Sequence, residues 1–261
     1  MIAVVKQYDS RWGSRNYNGS SSIATAACGP FSVDNIIIAK GNILNPMDVV
    51  RFMQNNGYAV RNHGTAWDGI PAAMKNFGCK DVKSVNVDRS MSRVWDYMAE
   101  GYSADFLFSA GSRGGVCWTT SGHYVAVTGY KKKDGNHWLY TRDSGGRDHD
   151  GWYCYEKHMK GLIPKVWVGF VPKIEPKKKT KYKGVFPSLP DRGYFKRGDK
   201  GKQVVLLQGL LNWAIDSNLK TDGDLGYNTE LAIRNFESSC GIQRDGQFGK
   251  KCLKAAKKMK R

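Results

Sequence analysis

The chain has no apolar run approaching the ~20 residues of a membrane-spanning helix, so no helical membrane span is expected. Its first residues, MIAVVKQYDS, hold too short an apolar core for a secretory signal. The expectation is synthesis in a host cytoplasm and release by some other agent. There is no Cys-x-x-Cys pair and no His-x-x-x-His pair, so neither a zinc knuckle, a dithiol redox motif nor a zinc-peptidase helix is expected. No metal or other cofactor is implied. No nucleic-acid reader motif is present, and the lysines cluster instead of alternating with aromatics, so nucleic acid is not expected as a partner.

Acidic residues are scarce: 23 Asp+Glu stand against 41 Lys+Arg, a net charge of +18. The excess is uneven. Residues 1–172 carry 20 Lys+Arg against 14 Asp+Glu, whereas residues 173–261 carry 21 against 9. Two-thirds of the excess therefore sits in the last third of the chain. Such a field draws a polyanion, and nucleic acid, an anionic cell wall and a membrane surface all qualify by charge. The 261 residues, 41% of them hydrophobic, suffice for two folded domains. The six cysteines are expected as free thiols, most of them small buried hydrophobes. Nothing in the pattern indicates an oligomeric state.

A domain boundary falls in PKIEPKKKTKYKGVFPSLPDRG, residues 172–193, where prolines and clustered lysines without periodicity read as a solvated linker. The division is 1–172, a basic linker over 173–192, and 193–261. The last segment contains a short repeat. DGDLGYNTELAIRNF from Asp222 and DGQFGKKCLKAAKKM from Asp245 align at an offset of 23, each a tight turn feeding a helix. Ahead of them Val204, Leu207, Leu211 and Ile215 make one helical stripe. Three short helices in about 70 residues form a small bundle. In the first segment the pattern predicts helices over 29–40, 46–56, 67–77 and 91–100. Strands follow in DFLFS, HYVAVTGY, WLYTRD and VWVGFV. Helices first and strands after indicate α+β.

Three features carry chemistry. Cys28 in ACGPFS stands at a helix N-terminus, where the positive end of the dipole favours thiolate, although a structural thiol has the same signature. SGHYVAVTGYKKKDGNHWLYTRDSGG reads as a hairpin turning at Asp134-Gly135. It brings His123, at the start of one strand, and Asp143, at the end of the next, to one open end. A base there would have a carboxylate to orient its ring, while two ordinary surface residues remain the alternative. Asp148 and Asp150, just beyond, compete for the carboxylate role. Gln7 in QYDSRWG can supply a side-chain N–H to an oxyanion.

Together these motifs resemble the bacteriocin-leader-peptidase-like branch of the papain-like cysteine peptidases over most of residues 1–172. The resemblance implies a papain-like domain with an antiparallel sheet, with Cys28 as nucleophile, His123 as base, Asp143 as orienting residue and Gln7 at the oxyanion. VVLLQGLLN and the doubled Asp-Gly-x-Φ-Gly resemble a three-helix peptidoglycan-binding domain, all-α, over about 197–256. That resemblance implies peptidoglycan, and anionic wall polymers with it, as partner. Tyr227 and Gln247 are its ligand candidates. The pairing looks like a phage or prophage endolysin, a peptidoglycan hydrolase acting on the wall once the membrane is permeabilised. The alternatives are a catalytically inactive wall-binding protein and an N-acetylmuramoyl-L-alanine amidase in place of an endopeptidase.

Overall fold

The computed structural model describes residues 3–42, 44–87, 91–172, 182–215, 217 and 219–259. They fall into two compact units, one comprising Ala3–Lys40 and Pro46–Pro172, the other centred on residues 182–259. Among the described residues no helix is long and apolar enough to cross a membrane.

The first unit runs α1 (Ile23–Ala26), α2 (Cys28–Ala39), α3 (Pro46–Asn55), β1 (Ala59–Val60), β2 (Gly64–Thr65), α4 (Gly69–Asn76), β3 (Lys80–Val85) and α5 (Ser92–Ala99). It continues with β4 (Ser103–Arg113), β5 (Val116–Lys133), β6 (Asn136–Arg142), β7 (Gly151–Cys154), α6 (Tyr155–His158) and β8 (Lys165–Phe170). Six strands form one sheet in the order β3-β8-β4-β5-β6-β7, antiparallel throughout. This is the α+β architecture the pattern predicts.

Helix α2 is apolar on nearly every side, and residues so placed must be enclosed. All ten residues from Gly29 to Ile38 are buried, packed against β5, α3 and α4. Gly29 permits a close approach: a Cβ there would lie 2.7–2.8 Å from the Thr65 side chain on β2. Thr65 is itself held, its hydroxyl 2.7 Å from that of Tyr17 and its carbonyl accepting from Tyr124 Oη at 3.0 Å. A second core joins Val94, Trp95 and Met98 of α5 to alternate residues of the sheet, Phe106 and Phe108 on β4 and Val125 and Val127 on β5. Trp118 stacks on Phe108 with ring centroids 4.4 Å apart.

Both long hairpins turn on paired left-handed residues, as two-residue loops of this hand require. Gly114 and Gly115 (φ 57° and 81°) join β4 to β5, and Asp134 and Gly135 (φ 50° and 76°) join β5 to β6. One strand differs from expectation. β5 begins at Val116, so His123 lies within the strand, opposite Phe108, and does not open it. The polar stretch Thr119–Gly122 hides this extension, because its pairing comes from β4 and not from apolar alternation. Strands β3 and β7 and the short α1 and α6 likewise lack a clear periodic signal.

The second unit contains β9 (Tyr194–Phe195), α7 (Lys202–Ile215), α8 (Tyr227–Ser239), β10 (Phe248–Gly249) and α9 (Lys250–Lys258). The three expected helices enclose Val204, Leu207, Leu211, Leu225, Phe236 and Phe248, and the β9–β10 pair is the one addition to an all-helical bundle. The repeat becomes two matching turns. Gly223 and Gly246 share φ 77°. Asp222 Oδ1 accepts the N–H of Asp224 at 3.1 Å, and Asp245 Oδ1 that of Gln247 at 2.8 Å.

The expected linker spans 173–192, and its residues 173–181 lie outside the described residues. Beyond them Tyr182, Phe186 and Leu189 pack on the helical core, with Tyr182 4.8 Å from Trp213 ring to ring. These residues belong to the bundle and not to a solvated linker, because aromatics alternate there with the lysines and prolines. A fragment of residues 182–261 is therefore expected to be more stable than one of residues 193–261. Burial of three large apolar side chains predicts a difference of about 2–4 kcal/mol. Urea unfolding of the two fragments checks this.

Candidate active site

Cys28 is the first residue of α2, where backbone N–H groups have no intrahelical acceptor and the helix dipole is positive. It is half-buried and lines a cleft of about 150 Å³ with Gln7, Trp118, Thr119, His123 and Asp143, closed on one side by Gly145, Gly146 and Arg147. All four residues singled out in the first segment thus meet in one place.

Pairing of Ala126 with Arg142 sets the β5–β6 register and leaves Asp143 as the first residue past β6. His123 Nε2 and Asp143 Oδ1 are 2.6 Å apart, and both side chains are buried. The carboxylate also accepts the N–H of Gly145 at 2.8 Å and that of His149 at 3.3 Å. Burial alone would lower the His123 pKa. Hydrogen bonds to Asp143 and Cys28, together with their charges, reverse this and raise it to about 10. Burial alone would raise the Asp143 pKa, but the bond and charge of His123 and the two backbone N–H groups bring it down to about 2. With Nε2 occupied by Asp143, Nδ1 is the ring nitrogen left to serve Cys28.

The Gln7 amide is oriented from both ends. Ser144 Oγ donates to its Oε1 at 3.0 Å, and its Nε2 donates to the carbonyl of Ala24 at 2.8 Å. An amide nitrogen carries two hydrogens, so one is left for the cleft. The backbone N–H of Gln7 donates to Ser144 O at 3.0 Å, tying the N-terminal segment to the end of the hairpin.

The competing carboxylates have other partners. Asp148 pairs with Lys6 at 2.8 Å and accepts from Tyr8 Oη at 2.9 Å. Asp150 Oδ1 accepts the N–H of Asp143 at 2.7 Å, and its Oδ2 pairs with Lys6 at 2.8 Å. Lys6 Nζ also donates to the Asp143 carbonyl at 2.7 Å. Lys6 and Asp150 thus clamp the backbone of the residue that holds His123. The sequence reading missed Lys6 and Gly145 and took Asp150 for a rival of Asp143. A Cβ at Gly145 would stand 3.0 Å from His123 Cε1 and Nε2, tighter than an ordinary contact, so a larger residue would press on the ring. The glycine pair Gly145-Gly146, one residue beyond Asp143, was the available signal.

Tyr227 and Gln247 lie in the other unit, at its two turns: Tyr227 opens α8, with Arg197 5.8 Å from its ring, and Gln247 is exposed beside Asp245. All six cysteines are free. Cys79, Cys154 and Cys252 are buried as expected, but Cys117 and Cys240 are half-exposed, since each sits near a turn and not in a core. Among the described residues no group of three or more His, Cys, Asp or Glu side chains is placed to hold a metal ion.

Residues 2–171 match the Peptidase_C39 like family, and residues 200–256 match a peptidoglycan binding domain. Among solved structures, the peptidase domain of Streptococcus ComA, a bifunctional ABC transporter of a quorum-sensing pathway, is 17% identical with a TM-score of 0.43. The match covers 66% of this chain and 99% of that one. A C39-like peptidase from Bacillus anthracis is 10% identical with a TM-score of 0.41, covering 66% and 96%. The N-terminal domain of SleB is 30% identical with a TM-score of 0.25, covering 26% of this chain and 93% of that one. No curated protein matches the chain.

Two outcomes are expected from this geometry. The raised His123 pKa contributes stability that is complete below the ordinary value of 6.5 and lost as pH rises through about 10. The lowered Asp143 pKa contributes stability that is complete above the ordinary 3.8 and lost as pH falls through about 2. The melting-temperature gap between wild type and His123→Ala should therefore be widest between pH 4 and 6.5 and close toward pH 10. Thermal melts across that range check it. Asp150→Ala should lower turnover by about tenfold while the protein stays folded, because a mispositioned orienting group costs rate at a distance. Asp148→Ala, which leaves the clamp on Asp143 intact, should remain close to wild type in the same assay.

Proposed function

The chain belongs to the Peptidase_C39 like family, and we propose that it is a peptidoglycan hydrolase cleaving amide bonds of the bacterial wall by a Cys–His–Asp mechanism. The observation that carries this reading is the cleft in which Cys28, His123, Asp143 and Gln7 converge, on a chain that also matches a peptidoglycan binding domain. That domain supports peptidoglycan as the surface to which the enzyme is held, and the positive excess beyond residue 172 suits anionic wall polymers.

In this mechanism the thiol proton of Cys28 rests on His123, and the sulfur attacks the scissile carbonyl. The free N–H of Gln7 and the Cys28 backbone N–H stabilise the oxyanion. The imidazolium passes its proton to the departing amine, leaving a thioester. Water, deprotonated by His123, then hydrolyses the thioester and restores the thiol. Asp143 holds the ring in place and balances its charge throughout. The reading extends to an endolysin-like setting, in which the enzyme reaches the wall once the membrane is permeabilised. Lysis of expressing cells only when a pore-former is supplied checks that setting.

Digestion of purified peptidoglycan, with mass analysis of the products and newly freed amines, tests the activity. Freed stem-peptide or cross-bridge amines identify an endopeptidase, and separation of peptide from glycan identifies an amidase. Cys28→Ala and His123→Ala should lower turnover at least about a thousandfold with wall binding retained. Asp143→Ala should be strongly impaired and Asp143→Asn less so, because an amide still orients the ring. Clearing by Cys28→Ala at near wild-type rate would overturn the mechanism.

A further inference from the structure

Arg147 lines the Cys28 cleft from the loop between β6 and β7. Both flanks of that loop are fastened. Gly145 and His149 donate their N–H groups to the Asp143 carboxylate. Asp148 and Asp150 are held by Lys6, and Asp148 also by Tyr8. The guanidinium is thus carried on a preorganised support at the rim of the nucleophile's cleft.

Beside Arg147 the single charge of Lys6 faces two carboxylates, Asp148 and Asp150. Arg147 is exposed and makes no ion pair among the described residues. Among the residues lining this cleft it is the one arginine or lysine. A guanidinium presents a planar fork of donors that matches a carboxylate bidentately. We propose that Arg147 selects an acidic peptide as substrate by binding a carboxylate on a residue next to the scissile amide. This deepens the hydrolase reading and rests on it for the identity of the scissile bond.

The first test does not depend on the natural substrate. Iodoacetate and iodoacetamide deliver the same methylene carbon to sulfur and differ in charge. Their alkylation rates at Cys28 are measured on the full chain by peptide mapping, with the half-exposed Cys117 and Cys240 as internal controls. The ratio of iodoacetate to iodoacetamide rates should fall about fivefold in Arg147→Gln at low salt, as expected for loss of one nearby charge in water. Arg147→Lys should keep most of the ratio, and the controls should not change. An unchanged ratio in Arg147→Gln overturns the proposal, whether or not the protein cuts wall. The second test compares wall stem peptides carrying either a free carboxylate or a carboxamide beside the scissile bond. Wild type should prefer the carboxylate by about tenfold in kcat/KM, the scale of one charged hydrogen bond, and Arg147→Gln should show no preference. A preference that survives in Arg147→Gln also overturns the proposal. If neither peptide is cut while the iodoacetate ratio still falls, the anion site stands and the hydrolase reading fails.

Discussion

A buried carboxylate 2.6 Å from a buried imidazole is the constraint on which the rest of the catalytic unit depends. Taking either charge out of water alone costs several kcal/mol, and the pair is tolerable only when geometry and further hydrogen bonds are close to ideal. The chain supplies those conditions from distant places. Register between β5 and β6 brings the residues together, and Gly145 and His149 provide N–H donors. Lys6, from the N-terminal segment, holds the Asp143 carbonyl. The same segment then presents Gln7 to the cleft, so a cleft amide and the clamp on Asp143 lie on one short stretch.

Cys28 comes from the opposite kind of support. Helix α2 is enclosed along ten consecutive residues, and its N-terminus is seated against Thr65 through a position that only glycine can fill without displacing its neighbours. A rigid core element therefore carries the sulfur, while turns and loops carry the histidine's partner and the cleft wall. Division of labour of this kind keeps the side chains of the cleft in place.

In the second unit a repeat in sequence becomes a repeat in hydrogen bonding, with unlike side chains doing equivalent work. Gln208 Oε1, from α7, accepts the N–H of Gly223 at 2.9 Å, and Glu237 Oε2, from α8, accepts that of Gly246 at 2.9 Å. Gln208 also donates to Asp222 and to the Asp224 carbonyl, which rigidifies the first turn. At the second turn burial, together with the nearby Asp245 carboxyl, pushes the Glu237 pKa up to about 7. The two turns are thus alike in backbone and different in electrostatics.

Much of this was legible in the residues. Apolar periodicity located α2, α3, α7 and the strand cores. Asp134-Gly135 marked its hairpin, and the doubled Asp-Gly marked two turns, because local patterns encode local conformation. Cys28 and Asp143 could be named since each stands at the end of a readable element, and His123 since it begins the apolar part of β5. What the sequence could not determine depends on pairing between distant segments. The polar half of β5 is a strand only because β4 lies beside it. Asp150 looked like a rival of Asp143 and is its support, a role that exists only once the chain has brought Lys6 within 2.8 Å. Tyr182 and Phe186 look like linker residues in the sequence but pack on the helical core, Tyr182 against Trp213. Composition and spacing determined which groups were available for chemistry. Tertiary packing decided which were buried and which were paired, because burial and pairing depend on neighbours that are not adjacent in the chain.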